Sequence, residues 1–491
     1  MNFKSDWSFL EKISMGATSS KAVVLTLNAS GHRIIELERY STSNKIWSTK
    51  IKRLRLPDLI CLRCGKRIES RAKTKLEVKM SDNENNPDRR WDAGLRDEDL
   101  IAFVQCGKKD DDWKPSQCIN VFSTKSLRDT ILKSKLGNAK SASEGSEKDR
   151  TWKTTVPKKS GVVTGVFEDL NLAKIRVVVH YDDGGKYTYS YAKDSGMYIY
   201  CKPGDKFGAQ DTIIAGVLPQ KEQLTCDDYQ YDFFYDINSK NTEIRYAGVK
   251  AIGYLGKNDR SVAELYSLIE REKDPRIILE AYSSLIRLDE VVWDNFYEYA
   301  SSLQSSEYIL EFVLILSELQ MFNKATNILI EMAENTSLTE EIRAAAAWGI
   351  CVNEKTLKKL VLLALNENQM LSSHALANIE ENMRKDYTTL LINMIDSDRT
   401  GELILNILKD TVLDSKAVLD MYFSTNVSSI KKWTMLIIGL AGREHFKQFS
   451  KQLSSDSNFE IISSLWDHSQ NEPSFEYFQI VKFLRKQNIR G

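Results

Sequence analysis

From Arg67 to Lys79 every odd-numbered residue is charged: Arg67, Glu69, Arg71, Lys73, Lys75, Glu77 and Lys79. The even positions, Ile68, Ser70, Ala72, Thr74, Leu76, Val78 and Met80, are apolar, small or β-branched. A period of two is the pattern of a strand with one face on a core and the other projecting charge. A run of this length is about twice the usual strand and predicts a bend or bulge within it. A helix is expected near residues 17 to 28 upstream, and the runs LIAFVQC and CINVF downstream read as further strands. Residues 1 to 135 are therefore expected to form an α/β domain. Residues 137 to 158 are mostly small or charged and read as a linker. Beyond them GVVTGVF, KIRVVVHY, GKYTYSY and GMYIYC, separated by the turn signals DDGG and KPGD, predict a small all-β module over residues 159 to 220.

After a connector at residues 221 to 240 the period becomes helical. Ile244, Ala247, Val249, Ala251, Ile252 and Leu255 fall near one face. The style recurs in KDPRIILEAYSSLIRL, where Ala281 lies 34 residues after Ala247, and in EEIRAAAAWGI around Arg343 and Ala347. An Arg one turn before a small residue, followed by an apolar helix, resembles HEAT-type repeats. That resemblance implies a HEAT-like α-solenoid over residues 241 to 491 whose surface binds a protein partner. An irregular helical bundle is the alternative. The run GMYIYCKPGDKFGAQDTIIAGVLP resembles the second half of barrel-sandwich hybrid domains, which implies a small β-barrel. Lys186 follows Gly184 and Gly185, but its surroundings do not match the hairpin that carries a modifiable lysine.

Composition adds class and charge. At 491 residues the chain is long enough for several domains, and 42% hydrophobic with 28% charged residues is globular usage. The 68 basic and 68 acidic residues cancel but are unevenly placed. Residues 45 to 79 carry twelve basic side chains against Asp58, Glu69 and Glu77, a local net of +9, and residues 221 to 340 carry a net of −11. A basic front and an acidic back are expected to meet a polyanion and a protein respectively. No apolar run is long enough to span a membrane, and the polar start lacks a secretory segment. Seven cysteines are too few for a disulfide scaffold, so a cytoplasmic protein is expected.

Pro57 and Asp58, followed by Glu77, Val78 and Lys79, resemble the PD-(D/E)xK motif of the restriction-endonuclease-like nucleases. The resemblance implies phosphodiester hydrolysis of DNA, in a defence or genome-maintenance setting. Asp58 and Glu77 would hold Mg²⁺ or Mn²⁺ beside the scissile phosphate, and Lys79 would position or activate water. Glu36 or Glu38 in GHRIIELERY would supply the extra acid that this family often carries on a preceding helix. A second register competes with the literal one. If residues 61 to 66 are the tip of a simple hairpin, Asp58 lies opposite Glu69, and Lys73 or Arg71 takes the lysine role. Glu77 would then be about 25 Å further along. A looped knuckle over residues 62 to 73 would preserve the Glu77 and Lys79 pairing and is slightly favoured. A solvated strand face without chemistry is the structural alternative, and a non-catalytic adaptor joining nucleic acid to protein is the functional one.

Cys61 and Cys64 stand as CLRCG, a spacing that places two thiolates on one tetrahedral ion. Cys106 closes one expected strand and Cys118 opens the next, which predicts a structural Zn²⁺ site of Cys61, Cys64, Cys106 and Cys118; buried free thiols are the alternative. His32, His180, His374, His445 and His468 show no metal spacing and are expected to be structural. The phosphate-binding, dinucleotide-binding, kinase and serine-hydrolase motifs are absent.

Overall fold

A computed structural model of the chain describes residues 7–38, 54–109, 112–139, 147–226 and 230–467. The chain divides into two compact units, with the described residues up to Val292 in one and those from Trp293 onward in the other.

The first unit opens with helix α1 (Trp7–Ala29), followed by strands β1 (Ile34–Glu36), β2 (Leu59–Cys61), β3 (Arg67–Lys73) and β4 (Val78–Asp82). Next come β5 (Leu100–Lys109), β6 (Asp112–Ser123) and the short helix α2 (Thr124–Asp129). One mixed sheet has the order β1-β2-β3-β5-β6, with β3 and β5 parallel and the other pairs antiparallel. One face buries Ile34, Leu59, Ile68, Leu100, Ala102, Val104 and Val121 against Val23, Val24 and Leu27 of α1. Alternation sends Ile101, Phe103 and Phe122 to the opposite face, into a second core with Trp91, Trp152, Val177 and Ile213.

The long alternating run does not form one strand. It breaks at residues 74 to 77, so that β3 stays in the five-stranded sheet while β4 pairs with β8 (Lys148–Trp152) in another. Two apolar environments are served by one alternating sequence. Arg67, expected on a charged outer face, is 1% exposed and is held by Asp99, itself fully buried.

The described residues of the expected linker are largely paired: the end of β7 (Ser134–Ala139) runs antiparallel to β8, and β9 (Thr154–Thr155) follows directly. The small β region has β10 (Gly161–Asp169), β11 (Lys174–Tyr181), β12 (Lys186–Ala192), β13 (Tyr198–Ile199), β14 (Lys206–Phe207) and β15 (Ala215–Gly216). These form a four-stranded sheet, β12-β11-β10-β14, and a three-stranded one, β13-β15-β9. Their buried side chains share the core of Phe103, Phe122 and Trp152, so this region is packed on the first sheet rather than tethered to it.

Helices α3 (Thr242–Ile252), α4 (Asp259–Arg271) and α5 (Pro275–Arg287) also belong to the first unit. The expected domain boundary before residue 241 is therefore displaced to residue 292. Arg33 donates to the carbonyl of Tyr254 at 2.9 Å, and buried Lys250 donates to that of Leu37 at 3.5 Å, tying α3 to β1. Small residues bring α3 and α5 close: Ala247 and Ala281 are buried, and a Cβ on Gly253 would lie 2.6 Å from Ser284 Oγ.

The second unit is all-helical among its described residues, from Trp293–Ser302 to Phe459–Asp467. Helices pack on the one after next as well as on their neighbours. Ser306–Glu318 meets Glu340–Gly349, which meets Gln369–Glu381. Ala347 is buried, and a Cβ on Gly349 would meet Ser317 Oγ at 2.0 Å. Asn378 bridges two layers by donating to the carbonyls of Ala347 and Ile350 at 2.9 and 2.8 Å.

Candidate functional site

The β2–β3 hairpin carries two candidate sites, one on its strands and one at its tip. Its register pairs Leu59 with Ile68 and Ile60 with Arg67. Continued by one residue, it sets Asp58 opposite Glu69. The alternation that buries Ile68 and Ser70 toward α1 puts Glu69, Arg71 and Lys73 on the other face. Asp58 Oδ2 accepts from the Ser70 N–H at 2.7 Å, tying the start of β2 to β3. Arg71 lies 2.6 Å from Glu69 Oε1.

The slightly favoured pairing of Asp58 with Glu77 and Lys79 depended on a looped knuckle. The tip is instead tight: Gly65 N–H donates to the Cys61 carbonyl at 3.0 Å and Cys61 N–H to that of Lys66 at 2.9 Å. Glu77 lies past the break in the alternating run, outside the sheet that holds Asp58, and pairs with Lys79 at 2.6 Å. Lys79 in turn lies 3.7 Å from Asp149. Lys73 reaches toward this second group, donating to the Lys79 carbonyl at 2.6 Å. Burial, reinforced by Arg71 and Lys79, pulls the Lys73 pKa down to about 8. Glu36 sits on strand β1 and Glu38 just after it, not on a helix, because Ile34 and Ile35 alternate into the two faces of a sheet.

At the hairpin tip, Cys61 and Cys64 come together as expected, but their companions are His32 and Cys226. The four ligand atoms all lie within 4.8 Å of one another. Cys61 Sγ is 3.9 Å from Cys226 Sγ, and Cys64 Sγ is 3.7 Å from His32 Nδ1. Cys106 and Cys118 are not part of the group. A bulge between Val104 and Cys106 shifts the β5–β6 register, so that Cys106 faces Pro115. Cys106 is buried in the α1-side core, whereas Cys118 Sγ accepts from Thr212 at 3.4 Å.

His32 enters from the turn that ends α1, where Gly31 adopts φ +89°. Its Nε2 faces the Leu224 carbonyl at 3.1 Å, which selects the tautomer protonated there and turns Nδ1 toward the sulfurs. Cys226 N–H donates to the Ser30 carbonyl at 3.3 Å. Gly65 supplies the left-handed turn after Cys64 at φ +69°, and the Tyr231 ring packs directly against it. The Arg63 N–H points at Cys61 Sγ over 3.4 Å. The Cys64 thiol, His32 and nearby backbone N–H groups hold the Cys61 pKa far below the ordinary thiol value despite burial. The same pairing drives Cys64 up, and burial raises Cys226. Three sulfurs and one imidazole nitrogen make a group that could hold a metal ion such as zinc. Spacing could not reveal it, since His32 precedes Cys61 by 29 residues and Cys226 follows Cys64 by 162.

No protein-family model matches this chain, and no curated protein matches it either. No helix among the described residues is long and apolar enough to cross a membrane.

Proposed function

We propose that the protein hydrolyses phosphodiester bonds in DNA with a divalent metal held by Asp58 and Glu69. The observation that carries this reading is the hairpin register pairing Leu59 with Ile68, which, continued by one residue, brings Asp58 opposite Glu69. Hard oxygen donors suit Mg²⁺ or Mn²⁺, an ion that keeps several of its own waters and is shared with a phosphate. Such an ion would polarise the scissile phosphate and lower the pKa of an attacking water. Arg71, already paired with Glu69, is the cation best placed to balance charge on the reacting phosphate. Lys73, bonded toward Lys79, is better placed to support β3. The described part of the basic segment, residues 54 to 79, carries eight basic side chains against three acidic ones, a surplus that would favour a polyanion. In this reading the helices of the second unit form HEAT-like layers that engage a protein.

A second reading, a non-catalytic adaptor that grips nucleic acid through the basic strand and protein through the helices, is favoured by one observation. Asp58 and Glu69 each already make a structural contact, with Ser70 N–H and Arg71. Incubation of the full chain with single-stranded, double-stranded and branched DNA plus Mg²⁺ or Mn²⁺ separates the two. Cleavage by the native chain that is lost in Asp58→Asn supports hydrolysis. Binding without cleavage on all three substrates supports the adaptor.

A further inference from the structure

We propose that His32 Nδ1, Cys61, Cys64 and Cys226 bind one Zn²⁺, and that this ion is a clasp fastening residues 222–226 to the tip of the β2–β3 hairpin. The distances argue for an ion rather than a covalent link. A disulfide needs its sulfurs about 2.05 Å apart, whereas Cys61 and Cys226 stand at 3.9 Å. A tetrahedron with Zn–S bonds of about 2.3 Å has an S···S edge of about 3.8 Å. Its S···N edge, with one bond of about 2.05 Å, is about 3.5 Å. The Cys61–Cys226 and Cys64–His32 separations of 3.9 and 3.7 Å are close to those edges.

The surroundings are built for a charged sulfur cluster. Three thiolates on Zn²⁺ leave a net charge of −1, and the backbone N–H of Arg63 pointing at Cys61 helps to stabilise the sulfur that carries part of it. The other nitrogen of His32 is bonded to a backbone carbonyl, the outer contact that metal-binding histidines commonly make. Four protein ligands fill a tetrahedron and leave no position for substrate, so the ion's role is structural.

Its effect follows from where the ligands sit in the chain. His32 lies between α1 and β1, Cys61 and Cys64 flank the hairpin tip, and Cys226 lies in the connector between β15 and α3. The contacts that hold the connector near the cluster include Cys226 N–H to Ser30, Glu222 N–H to Val121, Tyr231 N–H to Arg63 and the His32 contact to Leu224. Leu224 and Cys226 bury only part of their surface against the α1-side core. A metal bond adds far more than these contacts and joins segments that are distant in sequence, where closure of long loops is most costly. The clasp does not depend on the reading of Asp58 and Glu69.

The test is elemental analysis of the full chain purified anaerobically under reducing conditions and washed with a mild chelator. One zinc per chain is expected. Substitution by Co²⁺ should give the intense visible bands of a tetrahedral ion and the near-ultraviolet charge-transfer bands of three thiolates. Cys226→Ser should reduce those bands by about a third and weaken retention by at least the 10- to 100-fold typical of losing an outer contact to a metal ligand. Cys226→His should keep the ion with altered bands, which guards against simple misfolding of the serine variant. Cys106→Ser and Cys118→Ser should change nothing. Absence of metal from the native chain, cobalt spectra without thiolate charge transfer, or loss of the ion on changing Cys106 or Cys118 but not Cys226, would overturn the proposal.

Discussion

Replacing Asp99 by Ala should release the β3–β5 core of the first unit. Asp99 is fully buried and accepts from Arg67 Nε at 3.0 and 3.1 Å, from Arg67 Nη2, from Arg96 N–H at 2.6 Å and from Arg96 Nε at 3.0 Å. Arg67 also donates to the Gly94 carbonyl at 3.0 Å, so one side chain pins the first residue of β3 to the loop before β5. Truncation leaves a guanidinium with 1% exposure and no countercharge from Asp99. Removing one partner of such a buried pair costs about 3–5 kcal/mol. At about 1.4 kcal/mol per tenfold, amides of β3 and β5 that exchange by subglobal opening should exchange about 100- to 3,000-fold faster. Hydrogen exchange followed by mass spectrometry reads this locally, with peptides from the all-helical second unit as an internal control. The double variant Arg67→Met, Asp99→Leu should recover part of the loss, because it removes the buried Arg67 charge while Arg96 still lacks its acceptor. Acceleration below about fivefold in Asp99→Ala, well under 1.4 kcal/mol, would refute the reasoning, as would a double variant no better protected than the single one.

Other consequences follow from the same hairpin. The Lys73 pKa of about 8 lies below the 10.5 of a free lysine, so the unfolded chain binds more protons between those values and stability should rise with pH across that window. Lys73→Met should flatten this rise, although it also loses the bond to the Lys79 carbonyl; a variant whose denaturation midpoint still climbs as steeply with pH across the window would contradict it. Gly65→Ala forces a side chain onto a backbone at φ +69° and its Cβ to 2.3 Å from the Tyr231 ring. A loss of about 2–4 kcal/mol in chemical denaturation is expected, together with weaker metal retention, and an unchanged midpoint would show that the knuckle yields freely.

How much of this was legible in the sequence depended on whether the deciding contact was local. The helix before β1, the strands around Ile101 and Val121, and the helical period from residue 241 follow from side-chain periodicity, which each segment carries by itself. The alternating run from Arg67 to Lys79 was legible as strand but not as two strands in different sheets, because both halves present the same pattern to different cores. Burial of Arg67 was hidden for the same reason, since its partner Asp99 lies 32 residues away. The knuckle cysteines announced themselves by spacing. His32 and Cys226 did not, because the turn after α1 and the return of the connector bring them together only in the folded chain. Cys106 and Cys118 looked like partners until a one-strand bulge pointed them into separate surroundings.

The central claim, that Asp58 works with Glu69 rather than with Glu77, is tested most directly by metal-dependent DNA cleavage with the full-length chain carrying Glu69→Gln or Glu77→Gln. The register in which Leu59 faces Ile68 predicts that Glu69→Gln lowers the cleavage rate by about 100-fold or more, the scale expected when one metal-holding carboxylate is lost. Glu77→Gln, altering an ion pair with Lys79 outside that sheet, should stay within a few-fold of the native chain. A native chain that cleaves while Glu77→Gln is inactive and Glu69→Gln is unimpaired would contradict the account.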